Sequence, residues 1–220
     1  MSKHVAVLMG GWSAEREVSL DSGRAVAEAL AARGYAVDTV DAGHDVAATL
    51  AALEPRPDAV FNALHGRWGE DGNVQGVLNI LGLPYTHSGL LASAMAMDKV
   101  VAKRLFAAAG ITCPEGVVVN IEAVLTGHVM EPPYVVKPIN EGSSVGVHIV
   151  MAGDNYPGID RAAWKFGDQV LVERFIPGRE LTVVVMGDKS LGVTELQPHQ
   201  GFYDYEAKYT DGKTTHLCPA

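Results

Sequence analysis

A doubly wound parallel α/β sheet followed by an antiparallel α+β unit is the fold class expected here, and three observations point to it. From Val5 to Thr86, apolar strand-like runs alternate with helix-like stretches, the pattern of a parallel sheet with crossover helices. A stretch rich in Ala, Leu, Val and Lys, Leu90 to Ala109, then reads as one long helix closed by Gly110. Beyond it, short strand-like runs are joined by turns, with a single helix-like segment from Asp160 to Phe166.

Each element has its own signal. Val5 to Met9 is a continuous apolar run ending at Gly10–Gly11, as a strand buried on both faces should. Ser22 is placed to cap a helix carrying Val26, Ala29 and Leu30 at helical spacing, with Gly34 as its stop. Tyr35 to Val40 restarts a strand, and Asp45 to Leu53 reads as a helix broken by Pro55 and Pro57. Ala59 to Leu64 is a third strand, Val74 to Leu81 a short helix, and Leu83 to Thr86 a fourth strand. In the later part the strands are Tyr134–Lys137, Val145–Val150, Gln169–Glu173, Leu181–Met186 and Leu191–Leu196. His199 to Lys213 is polar, aromatic and punctuated by glycine, without strand or helix period, and reads as a structureless lid.

Composition narrows the function. The chain has 220 residues, 48% of them hydrophobic, and a net charge of -9, enough to bury a core but opposite in sign to a nucleic-acid binder. Cys113 and Cys218 are too few and too far apart for a disulfide framework or a zinc cluster. The first apolar run is too short for a signal peptide, and no run approaches the roughly 20 apolar residues that span a bilayer. A cytoplasmic chain without membrane or nucleic-acid partners is expected.

Several segments carry candidate chemistry. Lys137 ends a strand, and Pro138 to Ser144 turns the chain towards the next one. A Gly/Ser-rich hairpin beside a strand-borne lysine can lay N–H groups, hydroxyls and an ammonium over phosphates, and it can equally be an ordinary exposed turn. No Gly-x-x-x-x-Gly-Lys-Ser/Thr sequence occurs, which excludes a P-loop, and Gly10-Gly11-Trp12-Ser13 lacks the third glycine of a dinucleotide fingerprint. Glu173 ends another strand and precedes Arg174-Phe175-Ile176-Pro177-Gly178-Arg179-Glu180, where a flat base has apolar and carboxylate partners. Solvated strand-end charges are the competing reading. Glu70-Asp71-Gly72-Asn73 superficially looks like a metal site and is read as a turn and helix cap.

Val136-Lys137-Pro138, Glu141-Gly-Ser-Ser-Val-Gly146 and Val172-Glu173-Arg174-Phe175 occur in the order and spacing of the ATP-grasp fold. With Gly10 to Ser19, Ala63 to Gly72, Met97-Asp98-Lys99 and Phe202 to Tyr209, the chain resembles the D-alanine–D-alanine ligase family from its first strand to its last residues. The resemblance implies a Rossmann-like substrate domain at 1–95, a central ATP-grasp subdomain at 96–177, and the start of a C-terminal subdomain with a lid at 178–220. It implies that Glu15 holds the ammonium of a first D-alanine and that His65 lines the same pocket. Lys99 and Lys137 would sit on the α- and β-phosphates of ATP, and Ser143 and Ser144 in the loop over the γ-phosphate. Glu173 would face the adenine, with backbone near Arg174 and Ile176 completing its edge and Glu180 on the ribose. Lys208 would reach the γ-phosphate, and Tyr209 would act through Ser143 towards Glu15. That makes Glu15, Ser143 and Tyr209 the catalytic set.

The implied reaction joins two D-alanines through an acyl phosphate, for peptidoglycan precursor synthesis, in a homodimer built through the first domain. Tyrosine at position 209, where ester-forming relatives carry histidine, implies a dipeptide product. In the family, Mg²⁺ (or Mn²⁺) is held by an aspartate and a Glu-x-Asn motif on later strands, which also supply an arginine for the intermediate. None follows Ala220, so no metal ligand is expected in these residues. Another ATP-grasp carboxylate–amine ligase, or a module that binds nucleotide and substrate without turnover, are the alternatives.

Overall fold

A computed structural model describes residues 2–155, 158–199, 205–210 and 212–220. It divides into two compact units, Met1–Ile111 with Ile139–Gly142, and Thr112–Pro138 with Ser143–Ala220.

In the first unit, β1 (His4–Gly10) is the middle strand of a parallel sheet ordered β2-β1-β3, with β2 at Ala36–Ala42 and β3 at Ala59–Asn62. Its apolar run is buried on both faces, Val7 and Leu8 almost completely. Ala6, Leu8, Val40, Leu53, Val60, Leu64 and Leu78 form the core. The expected fourth strand is reduced to one parallel bridge, Val60 to Tyr85, with the Val60 N–H donating to Pro84 O and the Thr86 N–H to Val60 O.

The helices depart from expectation at two places. The first, α1, spans Arg16–Ala32, so Ser22 lies inside it rather than capping it. The helix starts early because Ser13 closes the turn: its hydroxyl accepts the Glu15 N–H, and its carbonyl accepts that of Arg16. After α2 (Val46–Ala51) and α3 (Asn73–Ile80), the stretch expected as one helix is two, α4 (Leu90–Met97) and α5 (Lys99–Ala108). Asp98 leaves helical geometry at ψ 103°, and its carboxylate accepts the Val100 and Val101 N–H groups, each at 2.9 Å. A restart cap thus sits where composition shows only good helix formers.

The second unit has two antiparallel sheets. One is ordered β4-β7-β5-β6, from Gly116–Asn120, Gln169–Arg174, Tyr134–Pro138 and His148–Val150. The short α6 (Ile121–Thr126) follows β4, with Asn120 capping the Glu122 N–H. The other sheet is ordered β10-β9-β8, from Thr214–Leu217, Lys189–Pro198 and Glu180–Met186. β4, α6 and β10 have no counterpart among the expected elements.

Asp160 to Phe166 is a turn rather than a helix. The Asp160 carboxylate accepts the Ala162 N–H, while Arg161 is drawn to Glu122 and Asp168. Within the expected lid, Tyr205–Tyr209 form a short helix, α7. Gln200 to Asp204 and Asp211 lie outside the described residues.

Candidate active site

The first unit places Glu15 and His65 at the ends of neighbouring strands. Gly10 takes φ +83°, and a Cβ there would lie 2.1 Å from the Asp41 carboxylate. The Ser13 hydroxyl donates to His65 O at 2.8 Å, tying the turn after β1 to the chain after β3. Glu15 is only 5% exposed. A Cβ on Gly66 would come within 2.6 Å of its Oε2, and one on Gly142 within 2.9 Å of the same oxygen. Two glycine backbones therefore leave this carboxylate its room, and any side chain at either would displace it.

The His65 ring lies against the Ser22 hydroxyl at 3.2 Å, with its Nδ1 3.7 Å from Glu70. The Glu70 carboxylate holds the imidazole above its usual pKa, against partial burial, with a smaller push from Glu15. Partial burial would raise Glu70 itself, yet His65 and the Gly66 N–H it accepts outweigh that, and the net shift is downward. Lys99, the first residue of α5, donates its ammonium to the Glu141 carbonyl and, at 3.4 Å, to that of Ile139. Burial raises the Glu141 carboxyl, with Arg67 and Lys99 opposing.

In the second unit, strand register decides which side chains meet. Val135 pairs with Glu173 and Lys137 with Leu171, so all four share one face of the sheet. Tyr134, Val136, Val170 and Val172 point the other way into a core with Ile121, Val124 and Trp164. The Lys137 ammonium forms an ion pair with Glu173 across the diagonal of that face. Glu173 is 4% exposed, whereas the Lys137 side chain keeps 26% of its surface in water.

The loop after β5 is folded back tightly. Gly146 takes φ +68°, and a Cβ on it would meet Pro138 and Phe166 at 2.8 Å. Ser143, at φ 51°, occupies the left-handed region that non-glycine residues avoid. Its hydroxyl lies 3.3 Å from the Tyr209 hydroxyl and accepts from the Lys208 ammonium at 3.3 Å. The next residue, Ser144, closes the turn by accepting the Val147 N–H on its carbonyl. Glu180, at the start of β8, is raised by burial, and Lys208 pulls it down.

The Arg174 N–H donates to Glu115 O and the Phe175 N–H to Pro133 O. Ile176 is well exposed just beyond.

The structure thus groups Glu15 with His65 in one unit, and Lys137 with Glu173 and Ser143 with Lys208 and Tyr209 in the other. Sequence reasoning read Glu70 only as part of a turn and helix cap, and gave no individual role to Gly66, Gly142 or Glu141. A carboxylate five residues after His65 inside a glycine-rich turn was the available signal for Glu70. Asp71 instead accepts the Trp68 and Asn73 N–H groups, as a turn residue does. Among the described residues, no three His, Cys, Asp or Glu side chains converge as a metal site.

Comparison with known proteins places this arrangement. Residues 38–88 match the family described as D-ala D-ala ligase N-terminus, and residues 109–220 that described as D-ala D-ala ligase C-terminus. A D-alanine–D-alanine ligase of Parvibaculum lavamentivorans is 60% identical over 100% of this chain and 71% of its own length. One from Rhodospirillum rubrum is 59% identical over 100% of this chain and 73% of its own. The crystal structure of the Bacillus anthracis D-alanine–D-alanine ligase superposes with a TM-score of 0.77 at 32% identity, covering 98% of this chain and 71% of that one. Its complex with ATP gives 0.75 at 30% identity, over 99% and 71%. This chain belongs to the D-alanine–D-alanine ligase family.

Proposed function

We propose that this chain grips ATP and a first D-alanine for the ATP-dependent joining of two D-alanines. The single observation that supports this most is the cluster of Lys208, Tyr209 and Ser143. An ammonium and two hydroxyls meet on a serine held at positive φ, a strained arrangement of the kind that persists at functional sites.

In this reading the buried Glu15 carboxylate binds the substrate ammonium, with His65 beside it. Lys99, Lys137 and Lys208 supply point charges for the phosphates, and Ser143 and Ser144 cover the γ-phosphate. Glu173, with the Arg174 carbonyl and the backbone at Ile176, takes the adenine, and Glu180 takes the ribose. The carboxylate of one D-alanine attacks the γ-phosphorus and ADP leaves. The amine of the second then attacks the acyl phosphate and expels phosphate. Magnesium supplies charge neutralisation on the phosphates when bound, and no described cluster in these residues is assigned to hold it. Tyr209 favours an amine over a hydroxyl as the second nucleophile.

The three-part division at residues 95 and 177, a cytoplasmic location and a role in peptidoglycan precursor synthesis belong to the same reading. So does a homodimer through the first unit, which exposed Ile80 and Leu91 on α3 and α4 support.

The test is phosphate release and product identity with ATP, magnesium and D-alanine, against L-alanine and D-lactate. D-alanyl-D-alanine as the preferred product is expected. Equal turnover with L-alanine would favour another carboxylate–amine ligase, and saturable ATP binding without release would favour a binding module.

A further inference from the structure

A cavity of about 250 Å³ opens in the first unit, near the ends of β1 and β3 and apart from the Glu15 carboxylate. Its walls are Leu8, Leu50, Leu53, Leu64, Val77 and Leu78, contributed by the sheet and by α2 and α3. Its rim is aromatic. Trp12 lies between His44 and Trp68, at ring separations of 4.8 and 5.6 Å and tilts of 31° and 32°. Of the residues lining it, the proposed ligase chemistry uses only His65, at the mouth.

We infer that this cavity is a binding site for a small neutral molecule built on one aromatic or alicyclic ring. Size is the first argument: a dry apolar cavity of roughly 150 Å³ already holds benzene, so a substituted ring fits 250 Å³. Water is a poor occupant, because a buried water needs two to four polar partners and the walls are leucine and valine. The polar groups sit at the mouth rather than along the walls, and most have other partners. His65 faces Ser22 and Glu70, Asn73 donates to Asp71, and the Arg67 guanidinium lies 5.2 Å from the Trp68 ring centroid.

Charge narrows the ligand further. The face of Trp68 that would attract a cation already has Arg67 over it. An anion would find no committed donor inside the leucine–valine walls. A neutral ring seated against the edges of the Trp12–Trp68 pair gains edge contacts and loses no hydrogen bond.

The chain's three tryptophans supply the readout. Trp12 and Trp68 line the cavity, whereas Trp164 packs on Phe166 in the other unit and serves as an internal reference. The full chain is titrated with 4-fluorotoluene, following the three indole N–H resonances and the fluorine signal. Saturable shifts of Trp12 and Trp68 with Trp164 still are expected. Val46→Phe at the mouth and Leu50→Phe in the wall should each weaken binding tenfold or more. Benzoate and benzylammonium should bind at least tenfold more weakly than the neutral probe.

Linear, unsaturable shifts, movement of all three indoles together, or affinity unchanged from the parent chain in both phenylalanine variants would overturn the site. Equal binding of the charged probes would overturn its selectivity. Sedimentation run alongside distinguishes a second copy of the chain as occupant. Probe binding that disappears as the protein self-associates would mean the cavity is covered by that copy, which also overturns the proposal. No arm uses nucleotide or D-alanine, so these outcomes are independent of the ligase reading.

Discussion

The two antiparallel sheets of the second unit are made of the same kind of residue and differ in what lies over them. In β4-β7-β5-β6, Val136, Val150, Val170 and Val172 are fully buried against Ile121, Val124 and Trp164. In β8, Leu181-Thr-Val-Val-Val-Met186 is at least as rich in β-branched residues, yet every position along the strand is exposed. Strand formation follows β-propensity and pairing in both, whereas burial depends on a helix and turn packing over one of them. The candidate site straddles the same division. Lys137 and Glu173 stand on the covered sheet, while Glu180 begins β8 and Lys208 and Tyr209 belong to α7.

The largest expected effect tests the contrast directly. Ile121→Ala removes a fully buried side chain from the covered sheet and should cost about 2–5 kcal/mol. Val184→Ala on exposed β8 should stay within about 0.5 kcal/mol. Urea unfolding measures both, and comparable losses would erase the distinction between the sheets. Hydrogen exchange adds the local picture: β8 and β9 amides should exchange faster than those of β5 and β7.

Next in size is the grip itself. Lys137→Ala should weaken ATP binding by tenfold or more, by removing a phosphate charge partner. It also removes an ion-pair partner of the buried Glu173 carboxylate, at a cost of up to about 3 kcal/mol, below the fully buried range because Lys137 is partly solvated. Adding Glu173→Gln removes that buried charge and should recover part of the stability without restoring phosphate affinity. Calorimetric ATP titration and thermal unfolding separate the two. Unchanged affinity in Lys137→Ala would take this lysine off the nucleotide.

Much of this was legible in the sequence where the signal was local. Lys137 and Glu173 each end an apolar run, which is enough to place them at strand ends, while their pairing on one sheet is a structural finding. The β1 run and the glycines after it needed no more. Contacts that close across the chain were not legible: nothing near Glu15 announces that Gly66 and Gly142 leave room for its carboxylate. Local signals also competed. Asp98 is a helix cap inside a stretch whose composition argues for continuity, and Asp160 to Phe166 has helical residues held in a turn by the Asp160 carboxylate. The Val117-Val118-Val119 run of β4 was the plainest strand signal left unread.

A smaller effect sits at Ser143, where the loop after β5 meets α7. Ser143→Gly removes the left-handed strain and should stabilise the loop by about 1 kcal/mol, while losing the hydroxyl that Lys208 and Tyr209 share. Ser143→Ala loses the same hydroxyl and keeps the strain. Both variants should lose activity alike while differing in thermal midpoint. A glycine variant that retains full activity would show that the hydroxyl does nothing there.

The smallest effect lies in the parallel sheet's unit and asks whether a half-solvated pair behaves like the buried one under Lys137. Glu70 raises His65, and His65 helps lower Glu70. Stability from a raised histidine is complete below its ordinary pKa of 6.5 and fades as pH climbs through the folded value. Stability from a lowered carboxyl is complete above 4.5 and fades as pH falls through its folded value. The pair therefore contributes most between pH 4.5 and 6.5. Glu70→Gln keeps an acceptor for the Gly66 N–H and deletes only the charge. At a 3.7 Å separation, with 47% of the Glu70 side chain exposed, the loss should be under about 1 kcal/mol. It should shrink towards zero as pH moves out of that window on either side. The sharper measurement is the His65 imidazole titration by NMR, whose midpoint must move down in Glu70→Gln. If it stays put, the upward shift of His65 does not come from Glu70, and the pair is only a turn contact.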